Sequence, residues 1–390
     1  MPDDPPRRSS RYDALDLWRG FACLLVLVNH SVFYKVATAG ATSAWALANG
    51  GLSAVAARLW LGVPLFFVIS GYCISATIDS HRRKNAGVRA YFFKRFRRIF
   101  PPYWATLAGA AVLVGASDIV LHGAVTSGGG LRPWWFSAWQ WAGSLTLTEI
   151  WRWHLIGGPK GLTLGPAWTL CYEEQFYAVT GALLFLAPRR FFTGAVLVTV
   201  AVLAAAWGTA KAGIDIDGFF FDGAWIQFAL GILVYYVINY RRDDDRAKIA
   251  ASAVFGVVIA WALSFGPQLL DLQKNSGQSM LVASGFALLA LWLHPFDVRI
   301  TQHRTMQPMK VCGMMCYSLY LVQVPIIGVI RGLLVWSGVG VDQLSPLISL
   351  PLCCIPTLWI AWRFHVAVER RFMSPASASA AAPLPLATAV

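Results

Sequence analysis

The sequence predicts an all-α fold, a polytopic transmembrane helical bundle of about ten spans with N- and C-termini cytoplasmic. Three observations predict it. Hydrophobic residues make up 57% of the 390 and charged residues only 13%, whereas an ordinary soluble domain is roughly a quarter charged. A chain of this length in water keeps much of its surface exposed and cannot hide so much apolar area. Second, the apolar residues fall in runs near the ~20 residues that a spanning helix needs, not in the alternating segments of ~10 that mark a β-barrel. Third, the net charge of +13 is unevenly distributed.

Taken in order, the runs place spans at 15–33, 58–78, 99–120, 168–187, 192–207, 219–238, 249–265, 279–293, 312–333 and 347–363. The fifth and eighth are short. Between the second and third lies a basic cluster, Arg82, Arg83, Lys84, Arg89, Lys94, Arg95, Arg97 and Arg98. An inside N-terminus puts this cluster, and most of the 32 Lys and Arg, on the cytoplasmic side, as the positive-inside rule requires. The reverse orientation puts them outside. Topology in an inner (cytoplasmic) membrane therefore accounts for the basicity. Membrane lipids are expected partners and nucleic acid is not.

Three segments organise the chain: a polar cytoplasmic lead over 1–14, a membrane domain over 15–372, and a Ser/Ala/Pro-rich tail over 373–390 expected to be disordered. Arg7, Arg8 and Arg11 ahead of the first apolar run, and the small residues from Ala37 to Ala44, imitate a signal peptide. The run reads as uncleaved because its polar residues look functional. The longest non-spanning stretch, 121–167, falls outside and holds Gly128–Gly130 with Trp134, Trp135, Trp139, Trp141, Trp151 and Trp153. An interfacial aromatic belt and a sugar-stacking platform both fit it. The seven cysteines form no secreted-type disulfide framework. Cys312 and Cys316 share a helix face but have no His or acidic companions, so they read as packing residues and no metal is expected.

Ionisable groups inside a membrane are costly and therefore functional candidates. In the first span Arg19 and His30 stand eleven positions apart, three turns plus about 20°, so both face one way with a rise of about 16 Å between them. Arg19 is near the cytoplasmic end and His30 in the outer half. The plainer reading pairs Arg19 with Asp16 at i,i+3. The fourth span enters from outside at Pro166-Ala167-Trp168 and brings Glu173, Glu174 and Gln175 to a depth comparable with His30. A His and a carboxylate at one depth can act as a base and its orienter. The plainer reading is a salt bridge, or an acid favoured by the helix dipole. Two adjacent glutamates point about 100° apart, so one of them faces a site. Arg95 and Arg98 share a helix face just inside the membrane, where they can bind phosphates or simply meet lipid headgroups.

Together these segments resemble the membrane-bound acyltransferase 3 family, O-acyltransferases of glycans and some small molecules. The resemblance rests on Leu15-Asp16-Leu17-Trp18-Arg19-Gly20 with His30, on Pro64 to Tyr72 with its Phe-Phe-Val-Ile-Ser-Gly core, on Lys94 to Pro101, on Trp168 to Tyr177, and on Tyr317-Ser318-Leu319-Tyr320-Leu321. It implies transfer of an acyl group, usually acetyl, from acyl-CoA to a hydroxyl of a cell-surface or exported glycan or its lipid-linked precursor. Acetyl-CoA is then a substrate, with no bound cofactor. His30, Glu173 and Arg19 are the expected catalytic residues. Arg95, Arg98, Ser70, Tyr72, Gln175, Tyr177, Tyr320 and Gln323 are the expected substrate-binding ones. Where the family often has His, this chain has Gln323, which bonds but does not titrate, so His30 is left as the base. Some relatives append a hydrolase-like domain; here a separate partner or the membrane domain itself is expected to deliver the group. Acylation of a macrolide-like metabolite, and a glycolipid transporter with midplane polar groups but without inverted repeats, are the rival readings.

Overall fold

A computed structural model describes residues 12–33, 44–122, 133–158, 164–214, 218–266 and 276–373. Arg7, Arg8, Arg11, the small residues from Ala37, Gly128–Gly130 and the tail from 374 lie outside the described residues. Among the described residues the regular structure is entirely helical. The helices are α1 (Leu15–Ser31), α2 (Ala44–Arg58), α3 (Gly62–Arg83), α4 (Val88–Val120), α5 (Ala138–Thr146), α6 (Glu149–Ile156), α7 (Trp168–Leu186) and α8 (Phe191–Ala212). They continue as α9 (Ala224–Tyr240), α10 (Asp245–Leu263), α11 (Ser276–Leu293), α12 (Asp297–Gln302), α13 (Gln307–Met314), α14 (Cys316–Trp336) and α15 (Pro346–Ala367).

Every apolar run singled out in the sequence falls on a helix, but the boundaries differ. Seven helical stretches are long and apolar enough to cross a membrane, built on α2–α3, α4, α8, α10, α11–α12, α14 and α15 with its following turn. The other three runs fall on α1, α7 and α9. Helices α1 and α9 have 17 residues each, and α7 devotes part of its length to Glu173, Glu174 and Gln175. Helix α4 begins at Val88, ahead of the apolar span that starts near 99, because the basic cluster from Arg89 to Arg98 is itself helical; Lys and Arg are good helix formers. Large apolar side chains on the outer faces, such as Val196, Leu197 and Val200 on α8 and Val254, Val257 and Trp261 on α10, are exposed, as lipid contact requires.

Two close crossings fix the helices that carry the polar residues. A Cβ on Gly71 of α3 would lie 2.0 Å from the Phe228 carbonyl oxygen, and one on Gly231 of α9 1.9 Å from that of Val68. Reciprocal glycines let the α3 and α9 backbones touch. Gly20 of α1 and Gly313 of α13 form the second such pair, facing Met309 and Asp16. Around the first crossing Phe67, Phe176, Trp225 and Phe228 pack ring against ring.

Two buried carboxylates inside the bundle are paired with arginines, since an isolated buried charge is very costly. Asp79, fully buried on α3, binds Arg82 at 3.1 Å and accepts from Tyr235 and Tyr240 at 2.8 Å each. The stretch after α4 folds into α5 and α6. A buried Glu149–Arg152 pair at 2.6 Å stabilises it, and Tyr103 and Trp104 of α4 anchor it by bonding the carbonyls of Ser144 and Leu145. Trp135 and Trp139 here are exposed.

Candidate active site

Helices α1, α3, α4, α7 and α14 enclose a cavity of about 590 Å³. Eight of the eleven expected site residues line it: Arg19, Ser70, Tyr72, Arg95, Arg98, Glu173, Tyr177 and Tyr320. These side chains come from five sequence segments and meet because α3 is held against α9 and α1 against α13 by the glycine crossings.

The cationic side chains of the cavity are held by named partners. Arg19 donates to Asp16 Oδ1 at 2.9 Å and to Cys73 Sγ at 3.0 Å. The i,i+3 pair with Asp16 therefore exists, and it leaves Arg19 in the cavity wall. Arg95 donates to Thr77 Oγ1 at 2.7 Å, and its guanidinium carbon lies 4.9 Å from the centre of the Tyr177 ring. Stacking and one hydrogen bond set the plane of this guanidinium without neutralising it. Lys94 and Arg98 add further positive charge. Tyr177 in turn donates to Glu173 Oε2 at 2.8 Å, and Tyr320 meets Thr169 Oγ1 at 2.7 Å and also donates to the Pro166 carbonyl. Tyr317 donates to the Ile99 carbonyl at 2.8 Å, joining α14 to α4.

Of the two adjacent glutamates, Glu173 lines the cavity and Glu174 does not, as their angular separation on α7 demands. Three expected residues lie outside the lining. His30 sits in the last turn of α1, one turn beyond Val26, the outermost α1 residue of the wall. Gln175 is turned to other partners: its amide nitrogen donates to the carbonyls of Cys171 and Gly218 at 3.1 and 2.9 Å, and its oxygen accepts from the Phe220 N–H at 2.7 Å. It ties the segment before α9 to α7. Gln323 is fully buried in α14, and its amide oxygen and nitrogen have no partner among the described residues.

Sequence reasoning missed Cys73, Thr77, Lys94, Thr169 and Tyr317 in the wall. A signal existed for two of them. Ser70, Cys73 and Thr77 recur at i, i+3 and i+7 within an apolar run, a polar stripe along one helix face. Thr169 and Tyr317 are visible only once α7 and α14 are placed beside α4.

The fold defines a multi-pass membrane protein in which polar side chains from five helices line one cavity. The sequence pattern of the acyltransferase 3 family, described as an acyltransferase domain, matches residues 12–366, and the chain belongs to that family. Among its relatives, the peptidoglycan O-acetyltransferase OatA of Listeria monocytogenes is 22% identical over 352 residues, covering 82% of this chain and 51% of the relative. The putative membrane-bound transacylase BcsY of Komagataeibacter xylinus is 25% identical over 336 residues, covering 81% of this chain and 72% of the relative. A putative peptidoglycan O-acetyltransferase of Bacillus subtilis, YrhL, is 29% identical over 172 residues, covering 42% of this chain and 22% of the relative. This chain thus spans about half the length of the Listeria protein. No solved structure matches it.

Proposed function

We propose that the protein is a membrane O-acyltransferase that moves an acyl group, acetyl in the simplest case, from acyl-CoA to a hydroxyl of a cell-surface or exported glycan or its lipid-linked precursor. The observation that carries the reading is the single cavity that joins Arg19, Lys94, Arg95 and Arg98 to Ser70, Glu173, Tyr177 and Tyr320. Cations at one side suit the phosphates of CoA. A chamber with more apolar than polar wall suits the pantetheine arm and the thioester. Two of the relatives bear peptidoglycan O-acetyltransferase names, which puts cell-wall glycan first among acceptors.

In this reading the chain crosses the inner membrane about ten times, α1, α7 and α9 included, with both termini cytoplasmic. The donor then enters from the cytoplasm past Arg95 and Arg98. His30, oriented by Glu173, takes the proton of the acceptor hydroxyl. The hydroxyl oxygen forms its bond to the acyl carbon as the carbon–sulfur bond breaks, and the proton passes from His30 to the departing CoA thiolate. Transfer through an acyl-His30 intermediate is the variant. Gln323, whose buried amide has no partner among the described residues, is suited to hold the acceptor hydroxyl without titrating.

The test is acetyl-CoA turnover by the purified protein in detergent, with and without an extract of the host's lipid-linked glycans. CoA release that depends on the extract supports the assignment. Absence of release with every extract and acyl-CoA, from folded protein, overturns it.

A further inference from the structure

Beyond the cavity, one cluster of buried polar side chains has a short-range link to it. Glu369 follows α15 in the turn Glu369–Phe372. Its Oε2 accepts from Ser318 Oγ at 2.5 Å and lies 2.7 Å from His365 Nδ1. All three residues are nearly or wholly inaccessible: Ser318 0%, Glu369 3% and His365 4% exposed. A buried carboxylate held by a hydroxyl and an imidazole is costly to assemble and costly to break.

The placement of the cluster gives it a consequence. Ser318 lies between Tyr317 and Tyr320 on α14, both in the cavity wall. Three residues after Glu369 comes Phe372, which also lines the cavity, together with Arg98 and Ile99 of α4. The turn is tied to α4 by a hydrogen bond from Arg97 Nη2 to the Arg371 carbonyl at 3.2 Å. The C-terminal turn therefore forms part of the chamber beside the basic helix and is secured there by a clasp to α14.

We propose that Glu369 is a positioning residue for the donor: by clasping Ser318 and His365 it holds the C-terminal turn so that Phe372 forms the rim of the acyl-CoA cavity next to Arg98. This rests on the acyl-CoA reading of the cavity. Glu369 reaches neither the donor nor the reacting atoms. Its effect is on where Phe372 stands, and so on donor affinity, not on the chemical step.

Two readouts test it, one independent of the reaction. Phe372→Cys labelled by a maleimide, with the modified peptide resolved by mass spectrometry, reports exposure of the rim. Adding Glu369→Ala is expected to speed this labelling severalfold. In turnover, Glu369→Ala is expected to raise KM for acetyl-CoA about tenfold with kcat within about threefold, and Glu369→Gln, which keeps a hydrogen-bonding head, to recover much of the loss. The double variant Glu369→Ala/Phe372→Ala should be no worse in KM than the weaker-binding single variant, because both act at one place. Where the alanine variant is not recovered folded, Glu369→Gln against wild type carries the same comparisons at smaller amplitude. Unchanged labelling, or a fall in kcat with KM unmoved, overturns the proposal. Faster labelling that CoA fails to slow in the otherwise wild-type background leaves the clasp standing and removes the acyl-CoA reading beneath it.

Discussion

Helix α1 carries two polar groups on one face, and the structure surrounds them differently. Arg19 is in the cavity wall, bonded to Asp16 and Cys73 and accompanied by Arg95 and Arg98. His30 stands on the same face but one turn past the wall's outermost α1 residue. The cationic end thus lies in the cavity wall, whereas the His end lies just beyond the residues that line it. In the proposed reaction, docking and chemistry belong to opposite ends of one helix, and they should be separable by mutation.

The largest expected effect is at the His end. His30→Ala should cut acyl transfer by ~10²–10⁴-fold, the range of a lost general base, while donor affinity stays within about twofold of wild type. Steady-state turnover paired with a donor-binding measurement checks it; equal losses in both would merge the two ends. At the cationic end, Arg95→Ala should raise KM for acyl-CoA by ~10–100-fold, as loss of charge-assisted bonds implies. Arg95→Lys should restore only part of this, because an ammonium cannot lie flat on the Tyr177 ring. Gly71→Ala bears on both ends through α3. With its Cβ 2.0 Å from the Phe228 carbonyl, it should cost ~1–3 kcal/mol of stability, seen as a lower melting temperature in detergent with unchanged KM in the surviving fraction. The smallest change is expected from Tyr177→Phe. It removes the hydroxyl that Glu173 accepts from at 2.8 Å but keeps the ring under Arg95, so activity should fall only severalfold, the value of one hydrogen bond of ~1 kcal/mol.

Much of this arrangement was legible in the chain. Apolar runs announced the helices, and the spacing of Arg19 and His30 announced a shared face. The adjacent glutamates announced that only one would reach the cavity. Other features were hidden because they depend on which helices become neighbours. Gln175 stands in the run Glu173-Glu174-Gln175, but only the folded segment at Gly218–Phe220 shows which protein groups its amide bonds. The glycines at 71 and 231 have no visible partners 160 positions apart until α3 and α9 cross. The Ser318–Glu369 bond likewise joins residues 51 positions apart. Where charge and helicity coexist, as at Arg89–Arg98, the helix runs past the apolar span, since apolar content marks what lies in lipid and not where a helix begins.

The central claim, that the cavity around Arg19, Arg95 and Arg98 takes the acyl donor, is tested most directly by equilibrium binding of radiolabelled acetyl-CoA to the purified protein without acceptor. Wild type and His30→Ala should bind saturably and alike, and Arg95→Ala should bind at least about tenfold more weakly. Equal binding by Arg95→Ala, or no saturable binding by the folded wild type, would contradict the account.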